Sequence, residues 1–165
     1  STFEPVVVTV GEFNGGQARN IVAGTVVLTG TIRSWSEHTR TEVPERLDRI
    51  VTSIAEAFGA KARFSFSAGN PAVVNDADCA AVAREAVVKV LGDEAVGSYR
   101  GTLSGEDFSE YLRAVPGCFA FIGTRNPEVG ATHPPHSCFD TVDESVLAKG
   151  SMVAAQWAHD MLARP

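Results

Sequence analysis

Residues 6–33 read VVVTVGEFNGGQARNIVAGTVVLTGTIR, and this stretch decides how the first part of the chain folds. Residues 6–10 (VVVTV) are almost all β-branched and predict a strand. Residues 11–20 (GEFNGGQARN) are polar and glycine-rich, which predicts a loop. Residues 21–33 (IVAGTVVLTGTIR) return to β-branched side chains with a glycine at each bend, so they form one bent strand or two short ones. Glycines between two such runs predict an antiparallel pair. Working outward, residues 41–58 (TEVPERLDRIVTSIAEAF) switch to a helical period. Leu47, Ile50, Val51, Ile54 and Phe58 recur at three and four residues and share a face. Thr41 with Pro44 reads as the helix entry and Gly59 as its stop. Residues 61–67 (KARFSFS) alternate again and predict a third strand.

Residues 68–71 (AGNP) are the clearest break in the chain. A helix is predicted over 76–91, a glycine-bounded loop over 101–105, and a short helix with an acidic start over 106–114. Residues 118–122 (CFAFI) are continuously apolar, as in a strand buried on both faces. A long loop over 124–139 precedes a closing helix over 143–162, whose expected core positions are Val146, Met152, Val153, Trp157 and Met161. The order is mixed α and β, in two parts of 70 and 95 residues. Parts that small struggle to bury a core of their own. One strand with three helices is not a domain, so the second part is expected to take partner strands from elsewhere.

The 165 residues carry 14 basic and 20 acidic side chains, a net charge of −6, and 44% are apolar. That composition is globular and argues against general nucleic-acid binding. No apolar run approaches the roughly 20 residues that span a bilayer. The N-terminal residues carry neither a basic region nor an apolar signal segment, and there is no initiator Met, so the chain is read as cut from something longer. Cys79, Cys118 and Cys138 are odd in number and widely spaced, which favours a reducing, cytoplasmic compartment.

Three short segments could carry chemistry. His133, His136 and Cys138 place three potential metal donors within six residues, and two prolines hold the backbone between the histidines extended. They read equally as solvated loop histidines beside a small apolar cysteine. Glu106 and Asp107 follow a glycine turn at a helix start; adjacent helical residues point about 100° apart, so they suit the helix dipole rather than a paired acid and base. The loop ending at Asn20 and the run 30–33 ending at Arg33 are expected to place an amide and a guanidinium around neighbouring strand ends, where an arginine can grip a carboxylate through two parallel hydrogen bonds; they read equally as a surface loop and a strand-end charge. Phosphate-binding glycine loops and the GxSxG nucleophile signature are both missing.

Five segments in order carry a resemblance over nearly the whole chain: VVVTVGEFNGGQARNIV (6–22), GTIRSWSEHTR (30–40), NPAVVND (70–76), GEDFSEYLRAVPGCFAFIGTR (105–125) and HSCFDTVDESVLAKG (136–150). Together they resemble the zinc aminoacylase/carboxypeptidase amidohydrolases, metallopeptidase family 20. Within it they are similar to the branch of hippurate, indole-acetyl-amino-acid and N-acyl-amino-acid hydrolases. The resemblance implies an α/β fold, incomplete as a single chain. Residues 1–70 would be the C-terminal part of an α+β lid and dimerisation domain, and residues 71–165 the C-terminal part of an α/β catalytic domain. It further implies an enzyme that cleaves the amide of N-acyl amino acids with a metal-activated water, using two divalent ions, zinc first, or manganese, nickel or cobalt.

Residue by residue, His136 matches the C-terminal metal-ligand histidine, while His133 has no matched role. Asn20 matches a lid asparagine that reaches the substrate near the scissile amide. Arg33 matches a lid arginine that holds the free carboxylate in related carboxypeptidases. Gly105, with Glu106, matches a turn whose backbone lies beside the substrate. The chain departs from the family with Ala23 where proline is usual, and with Cys138, a bystander or an extra soft ligand, where another proline is usual. The remaining metal ligands, the catalytic glutamate and the lid histidine lie upstream in the family, so no catalytic residue is expected in this chain. Alone it is expected to be inactive and to need a companion polypeptide carrying the N-terminal half. A homodimer through the lid is expected, with neither nucleic acid nor membrane as a partner. The alternatives are a non-catalytic lid-like dimerisation or regulatory binding module, and a free-standing zinc protein using His133, His136 and Cys138.

Overall fold

Strand β1 (Val6–Gly15) pairs antiparallel with β2 (Val26–Ser34), from Val6 opposite Ser34 to Gly15 opposite Val26. The computed structural model describes residues 4–164. Residues 11–15, expected to be loop, continue β1 instead. The register slips by one residue between Val10 and Glu12, so Gly11 is the extra residue of a β-bulge and the ladder runs past it. Opposite the bulge, a Cβ on Gly30 would collide with the carbonyl oxygen of Thr9, so only glycine fits there. The turn between the strands begins at Gly16, which takes a φ of 87°.

Helix α1 (Glu37–Ala57) starts four residues before the expected entry. Ser36 is its true N-cap, its hydroxyl accepting the amide of Thr39 at 3.1 Å. The carboxylate of Glu4 accepts hydroxyls from both Ser36 and Thr39 at this helix start. Those two hydroxyls, Ser36 first, hold the Glu4 carboxyl below its usual range. Pro44 therefore lies inside the helix rather than at its entry, and is buried. The face expected to be core is split. Val43, Leu47, Val51 and Ala55 form a half-buried stripe, while Ile50, Ile54 and Phe58 are exposed.

Helix α2 (Ala77–Leu91) is capped by Asp76, whose carboxylate accepts the Cys79 amide at 2.9 Å. It packs against α4 (Ser145–Leu162), and its buried residues Cys79, Val82 and Ala86 form the main apolar core. Trp157 of α4 donates its indole N–H to the Cys79 carbonyl at 3.1 Å, and Lys89 pairs with Asp160 at 2.8 Å. Val146, Val153, Trp157 and Met161 are half-buried as expected; Met152 is exposed. Gly150 lets α4 approach Ile122, whose Cδ1 would overlap any Cβ there. Helix α3 (Phe108–Ala114) is short and begins two residues later than expected.

The expected strands over 61–67 and 118–122 are both absent: among the described residues the sheet has two strands, β1 and β2. A strand exists only through its neighbour, and neither segment has a ladder partner here. Residues 118–122 are held another way. The Asn75 side-chain amide donates to the Phe119 carbonyl at 2.9 Å and accepts the Phe119 amide at 2.8 Å, as a neighbouring strand would. The Asp76 amide donates to the Gly117 carbonyl at 3.0 Å beside it.

Two compact units result. One contains the chain up to Val73 together with Thr102–Glu110; the other contains Val74–Gly101 and Tyr111 onward. The chain exposes 12904 Å². Even two separate domains of half this mass would expose only about 9,500 Å². The excess is visible in apolar side chains such as Phe13, Val27, Leu28, Phe58, Phe121 and Leu147, all open to solvent. Among the described residues no helix is long and apolar enough to cross a membrane.

Replacing Asn75 with Ala is expected to lower stability by about 1 kcal/mol. Its selective mark is faster amide exchange at Phe119. Asp76, Asp143 and Asp160 are all held below their ordinary value of 3.8, chiefly by the Cys79 amide, the Asn126 side chain and Lys89 respectively. Carboxylates lowered in this way bind fewer protons folded than unfolded, so their contribution is complete above 3.8 and is lost as pH falls through their depressed values. The thermal midpoint should therefore be flat from neutral pH to about 5 and drop below 4, less steeply in Asp160→Asn.

Candidate functional site

Strand β2 ends at Ser34, and the side chains around its end reach a segment distant in sequence. Arg33 donates Nη1–H to the carbonyl of Leu103 at 3.0 Å, across 70 residues. Trp35 donates its indole N–H to the carbonyl of Thr102 at 3.2 Å. Gly105 follows directly, and a Cβ on it would lie 3.9 Å from Arg33 Nη1. Two of the expected substrate-side residues, Arg33 and Gly105, are thus neighbours within one unit. Arg33 is exposed, and among the described residues Leu103 is its one hydrogen-bond partner. The rest of its guanidinium fork is available to a carboxylate. Glu106 is turned inward to the chain: its carboxylate accepts the Phe108 amide at 3.2 Å and its carbonyl accepts the buried Ser109 hydroxyl at 2.7 Å. Capping, as expected from its position, is what this acid does.

Asn20 is exposed in the turn joining β1 to β2. Arg33 lies at the opposite end of the hairpin, opposite Val7. The seven steps from Val26 to Arg33 span about 24 Å at roughly 3.4 Å per residue. That length of strand lies between Arg33 and the start of the turn that carries Asn20, so the two are not at neighbouring strand ends as expected.

His136 lies in the loop before α4 and is exposed. Its φ is 69°, the single left-handed non-glycine residue among those described. That conformation costs a non-glycine residue about 1 kcal/mol, and such strain gathers at functional positions. The neighbouring ring of His133 packs on Phe139 at 5.6 Å, and Cys138 is exposed. Among the described residues no three His, Cys, Asp or Glu side chains converge as a metal site requires. The trio of His133, His136 and Cys138 is therefore not assembled. A closed site needs about four donors. The donors present do not by themselves fit a metal ion, and no chemical step through one is derived from them. The buried Cys79 thiol is pushed up mainly by burial, as is that of Cys118, so neither is an activated nucleophile.

Trp35 was not singled out from the sequence. Its signal was its spacing, two residues from Arg33 at a strand end, which puts both side chains on one face. The backbone of His136 yields a direct test. His136→Gly should leave stability unchanged or raise it by up to about 1 kcal/mol, whereas the β-branched His136→Val should lower it. Thermal midpoints of the two variants measure this.

The family model described as Peptidase family M20/M25/M40 matches residues 3–160. The chain is 32% identical over 159 residues to the N-acetyl-L-cysteine deacetylase of Bacillus subtilis, covering 96% of this chain and 36% of that protein. It is 33% identical to the thermostable carboxypeptidase 2 of Saccharolobus solfataricus, covering 97% of this chain and 39% of the relative. It is 30% identical to the IAA-amino acid hydrolase ILR1-like 6 of Arabidopsis thaliana, covering 98% and 36%. In structure it resembles the Bacillus subtilis YXEP protein, described as a dinuclear metal binding peptidase from the M20 family. The TM-score is 0.85 at 30% identity, with 97% of this chain and 43% of that one covered. The chain spans well under half the length of each of these relatives. With 158 of its 165 residues inside the matched span, the chain belongs to the M20/M25/M40 peptidase family.

Proposed function

We propose that this chain supplies the substrate-carboxylate grip and one metal ligand of a metal-dependent amidohydrolase that acts on N-acyl amino acids. The observation that carries this reading is the meeting of Arg33 with Gly105 from distant parts of the sequence. An exposed guanidinium, steadied by one backbone carbonyl, is suited to hold a free carboxylate while the adjacent turn offers its backbone. Residues 1–70 belong to the lid in this reading and 71–165 to the catalytic part. His136 contributes one donor toward two divalent ions, zinc first among the candidates. The remaining donors and the proton-accepting carboxylate come from a companion polypeptide, and without it the chain is inactive. The names of the relatives, a deacetylase, a carboxypeptidase and an amino-acid-conjugate hydrolase, support the substrate class. The large exposed apolar surface supports the need for a companion.

Hairpin geometry bears on the dimer. Arg33 and the turn that carries Asn20 lie at opposite ends of the β1–β2 ladder, which favours a second copy as the source of the asparagine at each site. A homodimer through the lid lets Asn20 of one copy serve the site of the other. The compartment in this reading is the cytoplasm, with a reduced state for the three free cysteines.

Native mass spectrometry with metal analysis is the first test. A complex with a second polypeptide and about two metal ions per pair is expected, in line with two-metal hydrolases. A metal-free lone homodimer would instead make the chain a non-catalytic binding module. In the assembled enzyme, His136→Ala should lower metal content and remove most activity; full metal and full activity would overturn its role. Arg33→Ala should raise KM about 10- to 100-fold for substrates with a free carboxylate and leave their carboxamides nearly unchanged.

A further inference from the structure

We propose that Trp35 is a positioning residue for carboxylate binding: it pins the turn before Gly105 to the end of β2, so that the Arg33 guanidinium is held ready-aimed. The proposal rests on the reading of Arg33 as the carboxylate grip. Its basis is a pair of hydrogen bonds. Trp35 Nε1 donates to the Thr102 carbonyl at 3.2 Å and Arg33 Nη1 to the next carbonyl, that of Leu103, at 3.0 Å. Residues two apart at a strand end project to one face, so the two donors act as a two-point attachment. Two points set the direction of the turn relative to the end of β2 more firmly than one, and with it the position of the carbonyl that Arg33 leans on.

Trp35 is 44% exposed. A side chain that open is not a core anchor, and its indole N–H is what ties it to the turn. An unattached exposed arginine samples many rotamers, and ordering it on binding weakens affinity. Fixing Nη1 beforehand leaves the other N–H groups of the fork pre-arranged. Gly105 has no side chain to fill the space beside that fork.

The experiment is steady-state kinetics of the assembled enzyme on N-acetyl-L-alanine and N-acetyl-L-alaninamide. Wild type, Trp35→Phe, Arg33→Ala and the double variant are compared. Trp35→Phe keeps an aromatic ring and loses the N–H. It should raise KM for N-acetyl-L-alanine about five- to tenfold, the worth of one hydrogen bond, with kcat and the carboxamide KM unchanged. In the Arg33→Ala background it should add nothing, because it acts through Arg33. Equal effects on both substrates, or full additivity with Arg33→Ala, would make Trp35 a purely structural residue and overturn the proposal while leaving Arg33 its role. If Arg33→Ala itself fails to separate the two substrates, the carboxylate grip is wrong and the positioning role falls with it. The wild-type assembly gives a check that needs no folded variant. The Trp35 indole N–H should exchange slowly with solvent despite the open ring, and rapid exchange overturns the proposal.

Discussion

The antiparallel ladder between β1 and β2 is the interaction on which the first unit depends. Its register fixes the two ends of the hairpin, with the Asn20 turn at one and Arg33 at the other. The end of β2 in turn sets the direction of Arg33 and Trp35 toward residues 102–105. Two residues separate helix α1 from β2, and the cap of α1 at Ser36 is bonded by Glu4 from far back in the sequence. Backbone pairing here substitutes for a core. Both strands are exposed or nearly so along their length, and among the described residues of this unit Thr39, Pro44 and Ser109 are the buried ones. A two-stranded ribbon is marginal in water without a further surface to cover it.

The second unit solves the opposite problem. It has a core, Cys79, Val82 and Ala86 between α2 and α4, but no sheet among the described residues. An extended segment without a neighbouring strand needs other partners for its N–H and C=O groups. Asn75 supplies to Phe119 the donor and acceptor that a neighbouring strand would give. Asn126 and Asp143 do related work in the long loop: Asn126 forms a bridge with Ala131 and donates to Asp143, whose other oxygen accepts the amide of Ser145 at the start of α4.

What could be read from the sequence was what is local. The helix over 76–91 is legible because its signal lies within one segment, while its Asp76 cap comes from the structure. The start of α1 was not, because Pro44 mimics an entry residue while the true cap, Ser36, is reinforced by Glu4 from far back in the chain. Residues 61–67 and 118–122 carry the composition of strands, yet composition does not supply a neighbour, and the structure gives them none. Residues 11–15 read as loop in the sequence because a bulge at a glycine looks, residue by residue, like an interruption. Of the site, Arg33, Gly105, Asn20 and His136 were named individually through resemblance. That Arg33 meets Gly105 while Asn20 stays at the other end of the hairpin required the register. The left-handed backbone of His136 had no signature in its neighbours, Pro135 and Ser137.

The bulge at Gly11 has a bearing on how this hairpin tolerates changes of length. Side chains alternate faces with every residue, and the one unpaired position resets that alternation between the two halves of β1. Losing a single residue there would exchange inside and outside for everything from Glu12 to Gly15, or force the slip into the turn that carries Asn20. Residues 17–20, in the turn itself, lie outside the ladder and impose no such parity. Natural variation in length among proteins with this hairpin should therefore gather in the turn, while the count of residues between Val6 and Gly15 stays constant even where their identities drift.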